Sequence, residues 1–201
     1  ALRFIELGYS IKDLQVQSPM HKGPIGTRAL NSLLQEALNP PHPHARQIQV
    51  GQTIYREGDR VMQLKNNYNK QVFNGDVGFI TEIVLPDAEN EQELAVLVEV
   101  RGEIVEYSRD ELLEELSLAY CMTVHKAQGG EVPIVIMPVS TQHYFMLARN
   151  LLYTAITRAK EKVVLVGTKK ALARAIANNK TTLRYTALAE KICRETNILS
   201  E

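Results

Sequence analysis

A chain of 201 residues with 45% hydrophobic content can bury a core and suits one domain or two small ones. Its longest apolar runs, such as VPIVIMPV and KVVLVG, fall far short of the roughly 20 residues a membrane-spanning helix needs, so no membrane partner and a cytoplasmic location are expected. Lys+Arg and Asp+Glu both total 23, but the charge is divided unevenly: net +2 over residues 1–85, net −9 over 86–116 and net +7 over 117–201. A basic C-terminal third beside an acidic middle suits a polyanion held by one part and repelled by another, although ordinary solvated charge would look the same.

The opening segment ALRFIELGYSIKDLQVQSP reads as the tail of a helix, a stop at Gly8 and a short strand at 14–17 that ends before Pro19. Because the chain begins inside an amphipathic helix with no cap, sequence upstream of Ala1 is expected. From Thr27 to Leu38 the residues Leu30, Leu33, Leu34, Ala37 and Leu38 recur at helical spacing until Pro40 and Pro41 end the pattern. The connector NPPHPHAR carries His42 and His44, which lack a third nearby ligand, so no metal site is expected. Only two cysteines occur, Cys121 and Cys193, and they read as buried thiols rather than a disulfide framework.

Between Gly51 and Leu116 the pattern becomes five short β-branched or alternating runs, separated by turn signals at Asn74-Gly75 and Arg101-Gly102, with no intervening helix. That describes a small antiparallel barrel. Alternation then returns: strand 118–122, a polar loop, strand 132–139, a helix at about 145–158, strand 162–167, and helices at about 169–178 and 185–195. The expected fold is α/β, with a sheet built from residues 1–50 and 118–201 and a barrel inserted over 51–117.

Two segments carry chemistry. The loop TVHKAQGGE (123–131) follows a strand end, where α/β sheets bind ligands. Thr123, His125, Lys126 and Gln128 are donors suited to phosphate oxygens; Gly129 and Gly130 let backbone N–H groups approach an anion, and Glu131 would accept from a ribose hydroxyl. A polar surface turn has the same composition. In LLYTAITRAKEKVVLVG (151–167), Arg158 falls at a helix C-terminus, where it either complements the helix dipole or neutralises a transferring γ-phosphoryl group. In the barrel, Asn66, Asn67, Tyr68, Asn69 and Lys70 form a polar loop with one aromatic, compatible with contacts to a single strand or with a plain hairpin.

AYCMTVHKAQGGE and LLYTAITRAKEKVVLVG resemble motifs V and VI of superfamily 1 helicases in the form carried by RecD-like ATP-dependent DNA helicases. VQSPMHKGPIGTRALNSLLQEALNP is similar to the segment that opens the second half of their second motor domain, and GDRVMQLKNNYNKQVFNGDVGFI to the inserted SH3-like barrel. The resemblance covers nearly the whole chain in order. It implies a RecA-like motor domain, with a P-loop NTPase-type sheet but no P-loop, interrupted by an SH3-like barrel. It implies that Arg158 reaches the ATP γ-phosphate, that Glu131 meets the nucleotide sugar, and that Gln128 and Gly129 couple that site to DNA. Thr123 and His125 would face the single strand; Lys126 and, in the barrel, Asn67 are assigned to the same surface from their own chemistry. Gly130 departs from the Ser common in the family, and Val132-Pro133 from an aromatic residue.

No G-x-x-x-x-G-K-[ST] phosphate loop is present, since GPIGTRAL has neither its spacing nor its Lys. The expectation is therefore a C-terminal fragment of a 5′-to-3′ helicase acting in DNA repair and recombination, inactive alone. Its partners would be single-stranded DNA, a duplex junction and the N-terminal remainder of the polypeptide, whose motor domain would hold Mg2+ with the ATP. The alternatives are a non-catalytic nucleic-acid-binding or protein-interaction module on a helicase fold, and a related superfamily 1 branch working on RNA or in conjugation.

Overall fold

The computed structural model describes residues 1–86, 93–143 and 146–179. The expected helix at 185–195 and Cys193 lie outside them. A short helix α1 (Leu2–Glu6) ends at Gly8, where φ is +90°, and a single 3-10 turn capped by Ser10 leads into β1 (Leu14–Ser18). Every residue of β1 is buried, which marks a strand covered on both faces. Helix α2 (Thr27–Leu38) has the expected bounds, and its apolar stripe serves two cores. Leu30 and Leu34 pack on the sheet that contains β1, while Leu34 and Leu38 pack against the barrel.

The barrel begins with a hairpin of β2 (Gln47–Val50) and β3 (Thr53–Arg56). β2 precedes Gly51 yet pairs with β3, so the hairpin straddles a boundary drawn at residue 50. The strands β4 (Arg60–Gln63), β5 (Val77–Val84), β6 (Ala95–Val100) and β7 (Glu103–Tyr107) follow. β6 and β7 meet through Arg101 and Gly102, both at positive φ, as a tight two-residue hairpin requires.

Two features differ from the sequence expectation. A helix α3 (Arg109–Glu115) does intervene, started by a reciprocal capping box between Ser108 and Glu111. The strand expected at 118–122 is two strands in different sheets: β8 (Leu116–Leu118) pairs antiparallel with β4, and β9 (Cys121–Thr123) pairs parallel with β1. Uninterrupted apolar sequence hides the switch, because both strands are buried. The antiparallel sheet runs β7-β6-β5-β4-β8. It shares one core with the β2–β3 hairpin and α3, centred on Tyr107, Ile83, Val96, Val98 and Leu112.

The remaining elements complete the parallel sheet. β10 (Val132–Val139) and β11 (Ala159–Gly167) give the order β11-β10-β1-β9. Pro133 is accommodated where the β10–β11 register shifts between Val132 and Ile134, and Pro138 lies beyond the last residue that pairs with β1. Helix α4 (Arg149–Ile156) is shorter than expected, and β11 starts earlier, directly after Arg158. α4 and α5 (Lys169–Ala177) cover one sheet face through Leu152, Ala155, Ala171 and Ala175, against Met137, Val139 and Leu165. α1 and α2 cover the other. Cys121 is buried, and burial pushes its thiol up to about 12. Among the described residues no helix is long and apolar enough to cross a membrane.

Candidate nucleotide and nucleic-acid sites

The loop 124–131 does not sit wholly outside the carboxyl ends of the strands; it crosses the sheet. β9, β1 and β10 all run parallel, so the chain leaves β9 at the carboxyl edge, where Thr123 is paired with Ser18, and enters β10 at the amino edge. A turn opens the crossing. The Thr123 carbonyl accepts from Ala127 N–H at 3.0 Å, and its Oγ1 accepts from Lys126 N–H at 3.3 Å. Thr123, Val124 and Ala127 are thereby buried, and His125 and Lys126 are left outside. Gln128 N–H closes a second turn on the His125 carbonyl at 3.3 Å, and Gly129 at φ +90° redirects the chain toward the amino edge.

At that edge the two segments meet. Val132 N–H donates to the Arg158 carbonyl at 3.0 Å, which joins the residue after Glu131 to the residue that precedes β11. Glu131 and Arg158 thus share one rim, as the expected nucleotide site requires. Their side chains take other partners: the Glu131 carboxylate lies 3.7 Å from Lys160 Nζ, and Arg158 Nη2 lies 3.5 Å from Thr157 Oγ1. Both members of the Glu131–Lys160 pair are more than half exposed, so water screens it. Arg158 Nε is buried and finds no partner among the described residues. Lys160 went unnoticed in the sequence because its proximity to Glu131 depends on the register of β10 and β11, although the RAKEK run showed its charge.

The carboxyl edge opens into a groove of about 780 Å³ between α2 and the barrel. Arg28 and Asn31 of α2 line one wall, Ile54 of β3 and Leu113 of α3 line the other, and Thr123 and Lys126 close the end at the sheet. The groove also takes in Glu36, whose carboxylate pairs with the Arg56 guanidinium. Asn67 stands apart from this lining. Its amide donates to Glu115 at 3.3 and 3.4 Å, its Oδ1 accepts from Lys70 N–H at 3.2 Å, and its backbone bridges to Val72, so it shapes the 67–72 loop. Tyr68 on that loop is 74% exposed and meets the Phe73 ring edge-on. Among the described residues no three His, Cys, Asp or Glu side chains gather as a metal site, and the His42 and His44 rings only face each other.

The four-stranded parallel sheet fits a RecA-like motor domain, broken by an SH3-like insertion and crossed from one edge to the other by the 124–131 loop. Residues 30–98 match the family model for the SH3 domain of ATP-dependent RecD-like DNA helicases, and residues 118–166 match that for the UvrD-like helicase C-terminal domain. An ATP-dependent RecD2 DNA helicase of Deinococcus radiodurans is 40% identical over 179 residues, covering 89% of this chain and 23% of that protein. The RecBCD enzyme subunit RecD of Mycobacterium tuberculosis is 34% identical over 126 residues, 62% of this chain and 20% of that protein. The chain belongs to the RecD-like helicase family and corresponds to its C-terminal part. It spans about a quarter of the length of the curated relatives it matches. In fold it is also similar to Pif1 helicases solved at forked double-stranded DNA, with TM-score 0.52 and 20% identity over 81% of this chain and 41% of theirs. Bacteroides Pif1 solved with ADP-AlF3 and single-stranded DNA gives TM-score 0.50 and 18% identity over 86% and 49%.

Removing the Thr123 hydroxyl should loosen the turn without disturbing β9. We expect Thr123→Val to speed hydrogen exchange at the Lys126 and Ala127 amides by about five- to tenfold, the effect of losing a hydrogen bond worth about 1 kcal/mol. Thr123→Ser should exchange as the parent does, and equal protection in Thr123→Val would remove Oγ1 from the turn.

Proposed function

We propose that this chain is the half of an ATP-dependent DNA helicase that completes a nucleotide pocket at one sheet edge and holds single-stranded DNA at the other. The observation that carries the reading is the Val132–Arg158 backbone hydrogen bond, because it sets Glu131 and Arg158 on one rim while the other end of the same loop lines the groove. In this reading the motor domain comprises residues 1–50 and 118–201 and the barrel 51–117, with β2 belonging structurally to the barrel.

ATP, when bound, supplies the γ-phosphoryl group whose transfer to water drives the motor. The residues present fit one side of it. Arg158 carries a buried Nε with no described partner, a guanidinium fork suited to phosphate oxygens. Glu131 is exposed and acceptor-only, suited to ribose hydroxyls, and Lys160 beside it, added to Arg158, makes the rim net positive. The N-terminal motor domain of the complete polypeptide holds Mg2+ and the β- and γ-phosphates.

At the carboxyl edge Lys126 and His125 face the backbone of the strand. Thr123 is 6% exposed and acts through the turn it caps. Gln128 and Gly129 lie on the span between the edges, so a shift of Glu131 on nucleotide binding is transmitted along eight residues to the grip on DNA. Movement is 5′ to 3′, as the family resemblance implies; the protein works in the cytoplasm, on single strands and at duplex junctions.

Arg158→Ala in the complete polypeptide is expected to retain nucleotide binding and lose turnover by about 10³ to 10⁵, the range of an arginine finger. Retained turnover would remove Arg158 from the mechanism. The 201-residue chain alone should show no ATP turnover, and hydrolysis by a clean preparation would refute the division of labour. Lys126→Ala should lower the slope of log K against log salt for single-stranded DNA by about 0.7, one phosphate contact. An unchanged slope would take Lys126 off the DNA path and favour a module that binds elsewhere.

A further inference from the structure

The groove has two walls from different units: α2 belongs to the parallel sheet and β3 to the barrel. Between them lies Asp59, fully buried in the turn that joins β3 to β4. A carboxylate is acceptor-only, with about four lone-pair directions, and at Asp59 all four are filled. Oδ1 accepts from Asn39 Nδ2 and Tyr120 Oη, each at 2.8 Å; Oδ2 accepts from Gln35 Nε2 at 2.6 Å and Arg56 N–H at 2.7 Å. The donors come from α2 and its C-cap, from the barrel, and from the residue at which the chain passes from β8 to β9.

Each amide bridges a second time. Gln35 also donates to the Ile54 carbonyl at 2.9 Å, on the groove wall itself, and Asn39 donates to the Glu57 carbonyl at 3.0 Å. The next residue extends the tie to the centre of the sheet: the Arg60 guanidinium donates to the carbonyls of Leu14 at 2.5 Å and Ile11 at 3.1 Å. Among the described residues no cationic side chain donates to Asp59. Burial raises its pKa, and the four hydrogen bonds oppose that rise. A buried anion held by neutral donors is poor at adding stability and good at demanding one geometry.

We propose that Asp59 is a positioning residue that locks the barrel wall of the groove to α2 and Tyr120, so that the groove travels with the motor sheet as one body. Without it the apolar contacts of Ile11, Leu34 and Leu38 and the guanidinium bonds of Arg56 and Arg60 would still join the two units, but none of these guanidinium bonds ties α2 and Tyr120 to one point of the barrel. A groove that widens as the sheet moves would let the strand slip, and each ATP would advance it less. This functional half rests on the helicase reading; the rigid-body half does not.

The test uses the complete polypeptide with reactive cysteines removed and spin labels placed through Ile104→Cys on β7 and Lys170→Cys on α5. In the parent we expect one narrow distance distribution, unchanged by a single-stranded oligonucleotide. Asp59→Asn keeps the size but turns one acceptor into a donor that faces two donors; it should broaden the distribution. Its duplex unwound per ATP should fall at least about tenfold, as expected for a broken buried hydrogen bond, with DNA-stimulated turnover within about threefold of the parent. Tyr120→Phe, which removes one donor and keeps the ring, carries the same readouts with a smaller effect if Asp59→Asn does not fold. Distributions that superimpose on the parent's in folded variants, or unwinding and turnover that fall together, would overturn the proposal. A parent with no DNA-stimulated turnover would fail the helicase reading and leave the distance result standing.

Discussion

A strand in a parallel sheet can be entered only from its amino end, so the chain that leaves β9 at Thr123 must travel the length of β1 before it can begin β10. That requirement makes one short loop touch both edges of the sheet. Its first half is fixed at the carboxyl edge by the turn that Thr123 closes, and its last residue is fixed at the amino edge because Val132 is bonded to Arg158. Between them Gly129 and Gly130 are exposed, with no neighbour that a Cβ would meet, so the flexible part of the loop is its middle.

The same economy of connection places the barrel. The chain leaves the motor sheet after α2, at Asn39, and returns at Tyr120, and the side chains of both residues donate to one carboxylate oxygen of Asp59. Insertions are tolerated where their two ends lie close together, and here the ends are also bonded through a residue of the insertion. α2 completes the arrangement by lending Leu34 to both cores, so the helix that borders the groove is anchored on each side.

Legibility in the sequence followed the range of the interactions. α2 and β10 were readable to their ends because a 3.6-residue stripe stopped by two prolines, and an apolar run bounded by Glu131, are local signals. α3 was equally local, its Ser108 and Glu111 spaced as a capping box, and it was overlooked because the surrounding run of strands set the expectation. The break between β8 and β9 had no local signal, since LAYCM (118–122) is an unbroken apolar run and only the partners differ. In the site, Arg158 and Glu131 were legible as chemistry, and their adjacency was legible only through family resemblance. Lys160 beside Glu131, and Asp59 between Asn39 and Tyr120, are products of register and topology that no spacing rule reveals.

The acidic stretch at 86–116 is partly offset by pairs that net charge does not show. Its described acidic residues are largely exposed, and in the helical part several are paired with barrel side chains: Glu114 with Lys65, Glu111 with Lys70, and Glu115 accepts from Gln63 and Asn67. These contacts hold the 64–76 loop in place, and they withdraw two lysines from any DNA path that would use it. The field at the groove is then set by Arg28 and Lys126, with Glu36 offset by Arg56. The charge at the carboxyl edge of the parallel sheet, beside the turn that begins the crossing loop, is therefore positive.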